Sequence, residues 1–217
     1  MINWSQIDTV LLDMDGTLLD LSFDNFFWQE HLPKVYSQQT NIPLGNAKEK
    51  LESFSTSLIG TLEWYCVDHW SETLKIDIEA AKHDVKEHIR FRPHTLKFLN
   101  FLKQKNKSCI LVTNAHPKTM KLKVATTELH QHLDKIISSH EFSLAKENEG
   151  FWRLFQKREG IDLSRCLFID DSKPVLDRAK AEGLGHILQI LKPDTTQESL
   201  PQGRFLAIHD FDELMST

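Results

Sequence analysis

Short apolar runs that stop abruptly at polar residues recur along this chain. The first three of them are followed at once by Asp13, Thr113 and Asp170. Consecutive apolar positions bounded in this way are typical of strands buried in a parallel sheet. The pattern predicts strands at about 8–13, 108–112 and 166–169, with two further short β-like runs at 186–190 and 205–208.

Between these runs, apolar residues recur at spacings that predict helices with one buried stripe each. Strands and helices therefore alternate, which predicts right-handed βαβ units and an α/β fold with a Rossmann-like parallel sheet. Ligands of such sheets bind just beyond the carboxyl ends of the strands, where the polar residues lie. The three stripes are Leu96, Leu99 and Leu102; Phe151, Leu154 and Phe155; and Val175, Leu176 and Ala179.

The interval from 21 to 90 breaks this alternation. It has no apolar run ending in a polar loop, but four segments compatible with helices, at about 23–36, 46–58, 61–75 and 78–90. We predict an inserted α-helical domain at 21–90 and a catalytic core formed by 1–20 and 91–217. Arg92-Pro93 marks the return to the core, because proline disfavours helix at the residue before it. The polar stretch 192–203 is predicted to be a surface loop.

Composition and charge limit the binding partners and the cellular location that fit this protein. The 217 residues carry a formal net charge of −5 with no dense run of Lys or Arg, which argues against nucleic acid as a partner. The three cysteines are far apart and form no CxxC pair, which argues against disulfides and structural zinc. There is neither an export signal nor a run of about 20 apolar residues. We therefore expect no membrane association and a cytoplasmic location.

Asp13 and Asp15 flank Met14 at the end of the first strand, and Gly16 follows them. Two carboxylates placed this way can divide a reaction: one attacks phosphorus, and the other donates a proton to the leaving oxygen and later activates water. The alternative is a simple turn, since Asp and Gly are common there.

Asp170 and Asp171 end another predicted strand. Four carboxylates in one crevice repel one another unless protons or a cation relieve the repulsion. Hard oxygen ligands favour Mg²⁺, which would bridge to a phosphate. The alternative is that this pair caps the helix that begins near Pro174.

Thr113, Asn114 and Lys146 complete the candidate site. The first two offer a hydroxyl and an amide to phosphate oxygens, and Lys146 offers a positive charge. Taken alone, Thr113-Asn114 could be an ordinary loop and Lys146 a solvated surface residue.

Together, Asp13-Met14-Asp15-Gly16-Thr17, Thr113-Asn114, Lys146 and Asp170-Asp171 resemble the four motifs of the haloacid dehalogenase-like (HAD) hydrolase superfamily. The resemblance implies that Asp13 becomes an aspartyl-phosphate and Asp15 is the general acid and base. It implies that Thr113, Asn114 and Lys146 bind the phosphoryl group. Mg²⁺ would be held by the Asp13 carboxylate, the Asp15 carbonyl and Asp171. Asp170 would either bind the ion directly or support the residues that do.

Two positions distinguish this chain among its relatives. Dehalogenases of the superfamily lack an acid at the position of Asp15, so the resemblance favours a phosphatase or phosphomutase. Many members carry another acid four residues after the metal aspartate, where this chain has Val175. Asp177 lies on a different helical face and does not replace it.

The insertion resembles the helical cap of one superfamily branch. Segments 18–28, 64–72 and 111–117 closely resemble the bacterial GMP/IMP 5′-nucleotidases, which implies a small-molecule phosphomonoester substrate, namely a purine nucleoside monophosphate. Two sets of side chains then become candidates for contacting the base, although aromatic residues at helical spacing commonly form a core. The rings of Phe27, Trp28, Trp64 and Tyr65 would stack on it, and Asp24, Asn25, Asp68 or His69 would read its polar edge.

Two alternatives remain open at this point. The same chemistry could act on phosphoglycolate or a sugar phosphate, as a phosphatase or a phosphomutase. A protein of another class would use the scaffold only for binding or regulation, but such a protein is expected to lose Asp13 or Asp15.

Overall fold

The structure is a computed structural model that describes residues 2–215. Six strands within this range form one sheet in the order β3-β2-β1-β4-β5-β6, and every neighbouring pair is parallel. The predicted α/β class is confirmed. The strands are β1 (Thr9–Leu12), β2 (Ser108–Thr113), β3 (Lys135–Ser138), β4 (Cys166–Asp170), β5 (His186–Ile190) and β6 (Leu206–Ile208).

The register of the central strands brings the polar strand ends together. Leu12, the last residue of β1, pairs with Leu111 of β2 and Ile169 of β4. The backbone N–H of Asp13 also donates to the carbonyl of Ile169 at 3.0 Å. The residue after β1 and the last residue of β4, Asp170, therefore lie side by side at the carboxyl edge of the sheet.

Residues 21–90, which we call the helical segment, contain helices and no strand within the described chain. A π-helical turn at Phe27–His31 joins the first two helices, so the chain is helical from 22 to 40. The fourth helix is shorter than the predicted 61–75, because Cys66 has an extended backbone and caps its first turn. The helices are α1 (Ser22–Phe26), α2 (Leu32–Thr40), α3 (Leu44–Thr56), α4 (Val67–Leu74) and α5 (Ile78–His83).

Four α-helices follow in the remainder of the described residues: α6 (Thr95–Gln104), α7 (Pro117–Thr127), α8 (Phe151–Glu159) and α9 (Lys173–Ala181). The predicted stripe of α9 is buried as expected. Two assignments in the others are wrong, since Leu96 is 38% exposed and Leu154 is 46% exposed. At about 100° per residue, Phe151, Trp152 and Phe155 already define the buried face of α8, and Leu154 points away from it.

The sheet separates two apolar clusters. Leu11 and Phe168 face the side covered by α8 and α9. Val10 and Leu12, the neighbours of Leu11 along β1, face the side that carries α6 and the helical segment. The strands are buried on both faces, which explains why their sequences read as continuous apolar runs.

The two ends of the helical segment run next to each other. Asp20 N–H donates to the carbonyl of Arg90 at 2.9 Å, Arg92 N–H donates to the carbonyl of Leu18 at 3.0 Å, and Leu19 forms an antiparallel bridge with Phe91. The chain therefore leaves and rejoins the sheet region at one place.

The stretch predicted as a surface loop is exposed only from residue 196 onward. Pro193 and Asp194 are buried because they pack under the loop after β1 and the start of α1. Within residues 2–215, none of the helices combines the length and apolarity needed to cross a bilayer.

Candidate active site

Lys146 joins the ends of the two central strands. Its Nζ donates to Asp13 Oδ1 at 2.5 Å, to Asp170 Oδ2 at 2.7 Å and to the carbonyl of Val112 at 3.1 Å. The side chain is 2% exposed, so it is not the solvated surface residue that a lone lysine usually is. Burial disfavours its charge, but the Asp13 and Asp170 carboxylates outweigh this and raise the pKa of Lys146.

Asp171 completes an acidic cluster with the other two aspartates. Asp13, Asp170 and Asp171 each present a carboxylate oxygen, and these oxygens lie within 4.8 Å of one another. One ammonium group faces three carboxyl groups, so the cluster carries an excess of negative charge whenever all three are ionised. Hard oxygen donors at this spacing fit Mg²⁺, which prefers such ligands. Asp170 also accepts a bond from Ser172 N–H at 2.8 Å, so a local turn role coexists with its place in the cluster.

Burial raises the pKa values of the cluster. The pKa of Asp13 rises to about 7 because desolvation outweighs the attraction of Lys146. The pKa of Asp171 lies well above its usual value, because desolvation and the neighbouring carboxylates of Asp170 and Asp13 act together. A bound divalent cation would supply the positive charge that the cluster lacks.

Asp15 has a different environment from Asp13. Its carboxylate pairs with the Lys123 ammonium at 2.6 Å, and Lys123 is 1% exposed. Burial raises the pKa of Asp15 to about 6, with Lys123 opposing the rise and Asp24 and Asp13 adding to it. Two neighbouring carboxylates in unlike surroundings can serve as nucleophile and as proton donor.

Lys123 was not predicted from the sequence. It lies on α7 in a lysine-rich stretch, Lys118-Thr119-Met120-Lys121-Leu122-Lys123, that suggests only a solvated helix. A lysine flanked by apolar positions at helical spacing is a weak signal, and nothing in it points to Asp15. Its second partner, Asp24 of α1, lies at 2.5 Å.

Thr113 and Asn114 are buried at the end of β2. The Thr113 hydroxyl accepts from Ala115 N–H at 3.0 Å. Asn114 Oδ1 accepts from Lys146 N–H at 2.9 Å, and its Nδ2 donates to Glu147 Oε2 at 2.8 Å. Asn114 thereby fixes the backbone that carries Lys146, which is a role beyond the predicted contact with phosphate.

Glu147 is a second residue that the sequence did not reveal. Its other carboxylate oxygen accepts from the Tyr65 hydroxyl at 2.8 Å. Since Tyr65 belongs to the helical segment, the Tyr65–Glu147–Asn114 chain connects that segment to the end of β2.

A cavity of about 720 Å³ lies between the carboxyl edge of the sheet and the helical segment. The seven predicted site residues Asp13, Asp15, Thr113, Asn114, Lys146, Asp170 and Asp171 all line it. Rings from the helical segment line it too, among them Trp28, Trp64 and Tyr65, three of the candidates for contacting a base.

Not every side chain proposed for the base reaches the cavity. Asp24 and Asn25 line it, and Asn25 Nδ2 donates to Asp194 at 2.7 Å. Phe27 is instead fully buried and packs beneath the ammonium of Lys82 at 4.4 Å from the ring centre. Asp68 lies outside the lining and pairs with Lys118 at 2.8 Å.

Val175 lies at the edge of the cavity and is buried. Asp177, the acid two residues later, pairs with Lys173 at 3.3 Å and with Arg204 at 2.7 Å. As expected from its helical face, Asp177 does not supply the acid that Val175 replaces.

Known proteins resemble this chain over nearly its whole length. Residues 7–182 match the family described as haloacid dehalogenase-like hydrolase. GMP/IMP nucleotidase YrfG of Escherichia coli (strain K12) is 38% identical over 214 residues, covering 99% of this chain and 96% of that protein.

Solved structures of lower identity share the fold. A HAD phosphatase from Thermococcus onnurineus superposes with a TM-score of 0.78 at 20% identity, covering 96% of each chain. A putative beta-phosphoglucomutase from Thermotoga maritima gives 0.68 at 18% identity, covering 96% of this chain and 97% of its own. With its matching sequence motifs gathered at one edge of a parallel sheet, the chain is an enzyme and belongs to the haloacid dehalogenase-like hydrolase family.

Proposed function

We propose that the chain is a Mg²⁺-dependent phosphomonoester hydrolase that works through an aspartyl-phosphate on Asp13 and acts on the purine nucleotides GMP and IMP. The observation that carries this proposal is the cluster at the sheet edge, in which a buried lysine bridges two aspartates beside a third. A phosphoryl group, an attacking carboxylate and a divalent cation require such a combination of charges.

In the first step, an oxygen of Asp13 forms a bond to phosphorus while the bond from phosphorus to the ester oxygen breaks. Asp15 gives its proton to the leaving oxygen. In the second step, Asp15 takes a proton from water, the water oxygen attacks phosphorus, and the bond to Asp13 breaks.

Lys146, Thr113 and Asn114 are assigned to the phosphoryl oxygens. Asp13, Asp171 and the Asp15 carbonyl would hold Mg²⁺, with Asp170 as a further or supporting ligand. The ion would neutralise charge on the phosphoryl oxygens.

The helical segment is assigned as a cap domain over a core of residues 1–20 and 91–217. The cavity beneath it is lined from both sides. A substrate can enter when the two parts separate, and closure then excludes bulk water from the site.

The substrate assignment rests on two independent supports. The relative that is 38% identical is named as a GMP/IMP nucleotidase. The rings of Trp28, Trp64 and Tyr65 face a cavity that is large enough for a nucleotide.

The unpaired cysteines fit a reducing cytoplasm, which we propose as the location.

A panel of phosphomonoesters with and without Mg²⁺ tests the proposal. We expect GMP and IMP to give the highest kcat/KM, phosphoglycolate and sugar phosphates to be poor, and excess EDTA to abolish turnover. Fast hydrolysis of phosphoglycolate or a sugar phosphate with slow GMP would refute the purine assignment and leave the chemistry intact.

Asp13→Asn tests the nucleophile. We expect the protein to fold and turnover to be lost, while Asp177→Asn, a change of equal size on α9, keeps full activity. Trapping the phosphorylated protein with labelled substrate should succeed for the wild type and fail for Asp13→Asn. An active Asp13→Asn protein would rule out the covalent route.

A further inference from the structure

Lys123 is a buried cation for which the proposed reaction has so far no use. Its ammonium lies 2.6 Å from Asp15 Oδ1 and 2.5 Å from Asp24 Oδ2, and the side chain is 1% exposed. Burying an ammonium group costs several kcal/mol unless close, well-oriented partners compensate. Both partners line the active-site cavity, so the position of Lys123 is tied to the site.

Asp24 is held from two sides. Its Oδ1 accepts from Lys82 Nζ at 3.0 Å, and its Oδ2 accepts from Lys123. Lys82 is also buried, and the rings of Phe23 and Phe27 lie 5.2 and 4.4 Å from its ammonium. Opposite charges therefore alternate in the series Lys82, Asp24, Lys123 and Asp15, and Lys123 has Asp24 as a second anionic partner.

The ion pair engages one oxygen of Asp15. Lys123 contacts Oδ1, which leaves Oδ2 as the oxygen that can face the ester. A proton donor acts only when its oxygen lies within hydrogen-bond reach of the leaving atom, so fixing one oxygen aims the other.

We propose that Lys123 is the positioning residue for the acid Asp15, and that Asp24, supplied by the helical segment, holds Lys123 in place. This inference rests on the proposed function, since it requires a phosphoryl transfer in which Asp15 protonates the leaving oxygen. Asp24 and Lys82 lie on α1 and α5, while Asp15 and Lys123 lie beside the sheet. The acid is thus fully aligned only when the helical segment covers the site.

Leaving-group dependence separates this role from a structural one. When GMP is hydrolysed, the departing ribose oxygen needs a proton, because an alkoxide is a poor leaving group. When p-nitrophenyl phosphate is hydrolysed, p-nitrophenolate departs as a stable anion without one. For Lys123→Met we expect kcat/KM to fall about 10- to 100-fold with GMP, part of the typical contribution of an acid, and less than about threefold with p-nitrophenyl phosphate. Asp24→Asn should show the same selectivity with a smaller loss.

Lys121→Met is the matched control, because Lys121 lies on the same helix and is exposed. It should leave both kcat/KM values unchanged. An equal loss on the two esters in Lys123→Met, or no loss on either, would overturn the inference. If Lys123→Met does not fold, as judged by circular dichroism and thermal melting, Asp24→Asn decides by the same criterion.

The purine assignment can fail without affecting this comparison. If GMP is not turned over, the alkyl phosphate with the highest kcat/KM in the panel takes its place. A wild-type protein that hydrolyses no phosphomonoester would overturn the proposed function and this inference with it.

Discussion

At the scale of single residues, Gly16 illustrates how closely the acidic cluster is packed. Its φ is +85°, which is a region that side chains other than glycine rarely adopt. A Cβ at this position would lie 2.8 Å from Cγ and Oδ2 of Asp171 and 2.9 Å from Cβ of Pro193. The absence of a side chain here is therefore required by the position of Asp171 as well as by the turn.

Gly16→Ala should weaken the proposed Mg²⁺ site as well as the fold. We expect the concentration of Mg²⁺ needed for half-maximal activity to rise at least about tenfold, the scale seen when groups that support a ligand are disturbed. Gly60→Ala is the control, because its φ is +83° but no atom beyond the adjacent residues lies within 4 Å of the added Cβ. Both variants should lose unfolding free energy, and only Gly16→Ala should need more Mg²⁺. Equal Mg²⁺ requirements would contradict this reading.

Residue-level prediction from sequence succeeded where the strand ends fix the position. Asp13, Thr113 and Asp170 end adjacent parallel strands, so their convergence follows from the order of the strands. Lys123 and Glu147 could not be found this way. Their partners Asp24 and Tyr65 lie on the helical segment, and the docking of that segment depends on packing that no local pattern encodes.

At the scale of elements, Arg92 connects three loops at the carboxyl end of the sheet. Its guanidinium donates to the carbonyls of Thr17 at 3.2 Å, Lys192 at 3.1 Å and His209 at 2.7 Å. These carbonyls follow β1, β5 and β6. The side chain is buried, so water does not readily replace these bonds.

Arg92→Met should lower the unfolding free energy by at least about 2 kcal/mol, because it leaves buried carbonyls without a donor. Urea denaturation measures this directly. Arg90→Met removes a guanidinium from the same stretch, where the side chain is 53% exposed and pairs with Asp20. We expect a loss below about 1 kcal/mol there, because the Arg90 guanidinium is largely exposed and the buried Asp20 carboxylate keeps its bonds from Ser22 and Thr195. A smaller effect at Arg92 than at Arg90 would be inconsistent with the bracing role.

The strands were easier to predict than the helices of the insertion. A strand buried on both faces is apolar at most of its positions, and β5 has the predicted bounds 186–190 even though it includes His186 and Gln189. Helix ends depend on single capping residues. Cys66 caps the start of α4 and Asp84 caps the end of α5. Both helices are therefore shorter than the segments 61–75 and 78–90 that the sequence suggested.

At the scale of the whole molecule, the fold is stabilised without covalent cross-links in the described chain. Cys66, Cys109 and Cys166 are all free. Burial raises the pKa of both the Cys109 and Cys166 thiols to about 12, with nearby carboxylates adding to the effect. Thiolate is the reactive form, so these two side chains should be inert near neutral pH.

Thiol titration with a disulfide reagent at pH 8 checks this. In the native protein we expect at most one thiol, that of the half-buried Cys66, to react promptly, and all three to react in denaturant. Adding a reductant should leave the Tm unchanged. Prompt reaction of three thiols in the native state would show that the interior opens far more readily than the packing indicates.

Residues 21–90 leave the sheet region and return to it at one place. This arrangement has an evolutionary consequence. Because Leu18 and Arg92 are already hydrogen-bonded neighbours, a short turn could bridge them and leave the sheet undisturbed. A different insertion at that point would leave the strands in place, but it would have to supply its own partner for Lys123, as Asp24 does here. Related proteins can therefore differ in the inserted segment and still inherit the same acidic edge of the sheet.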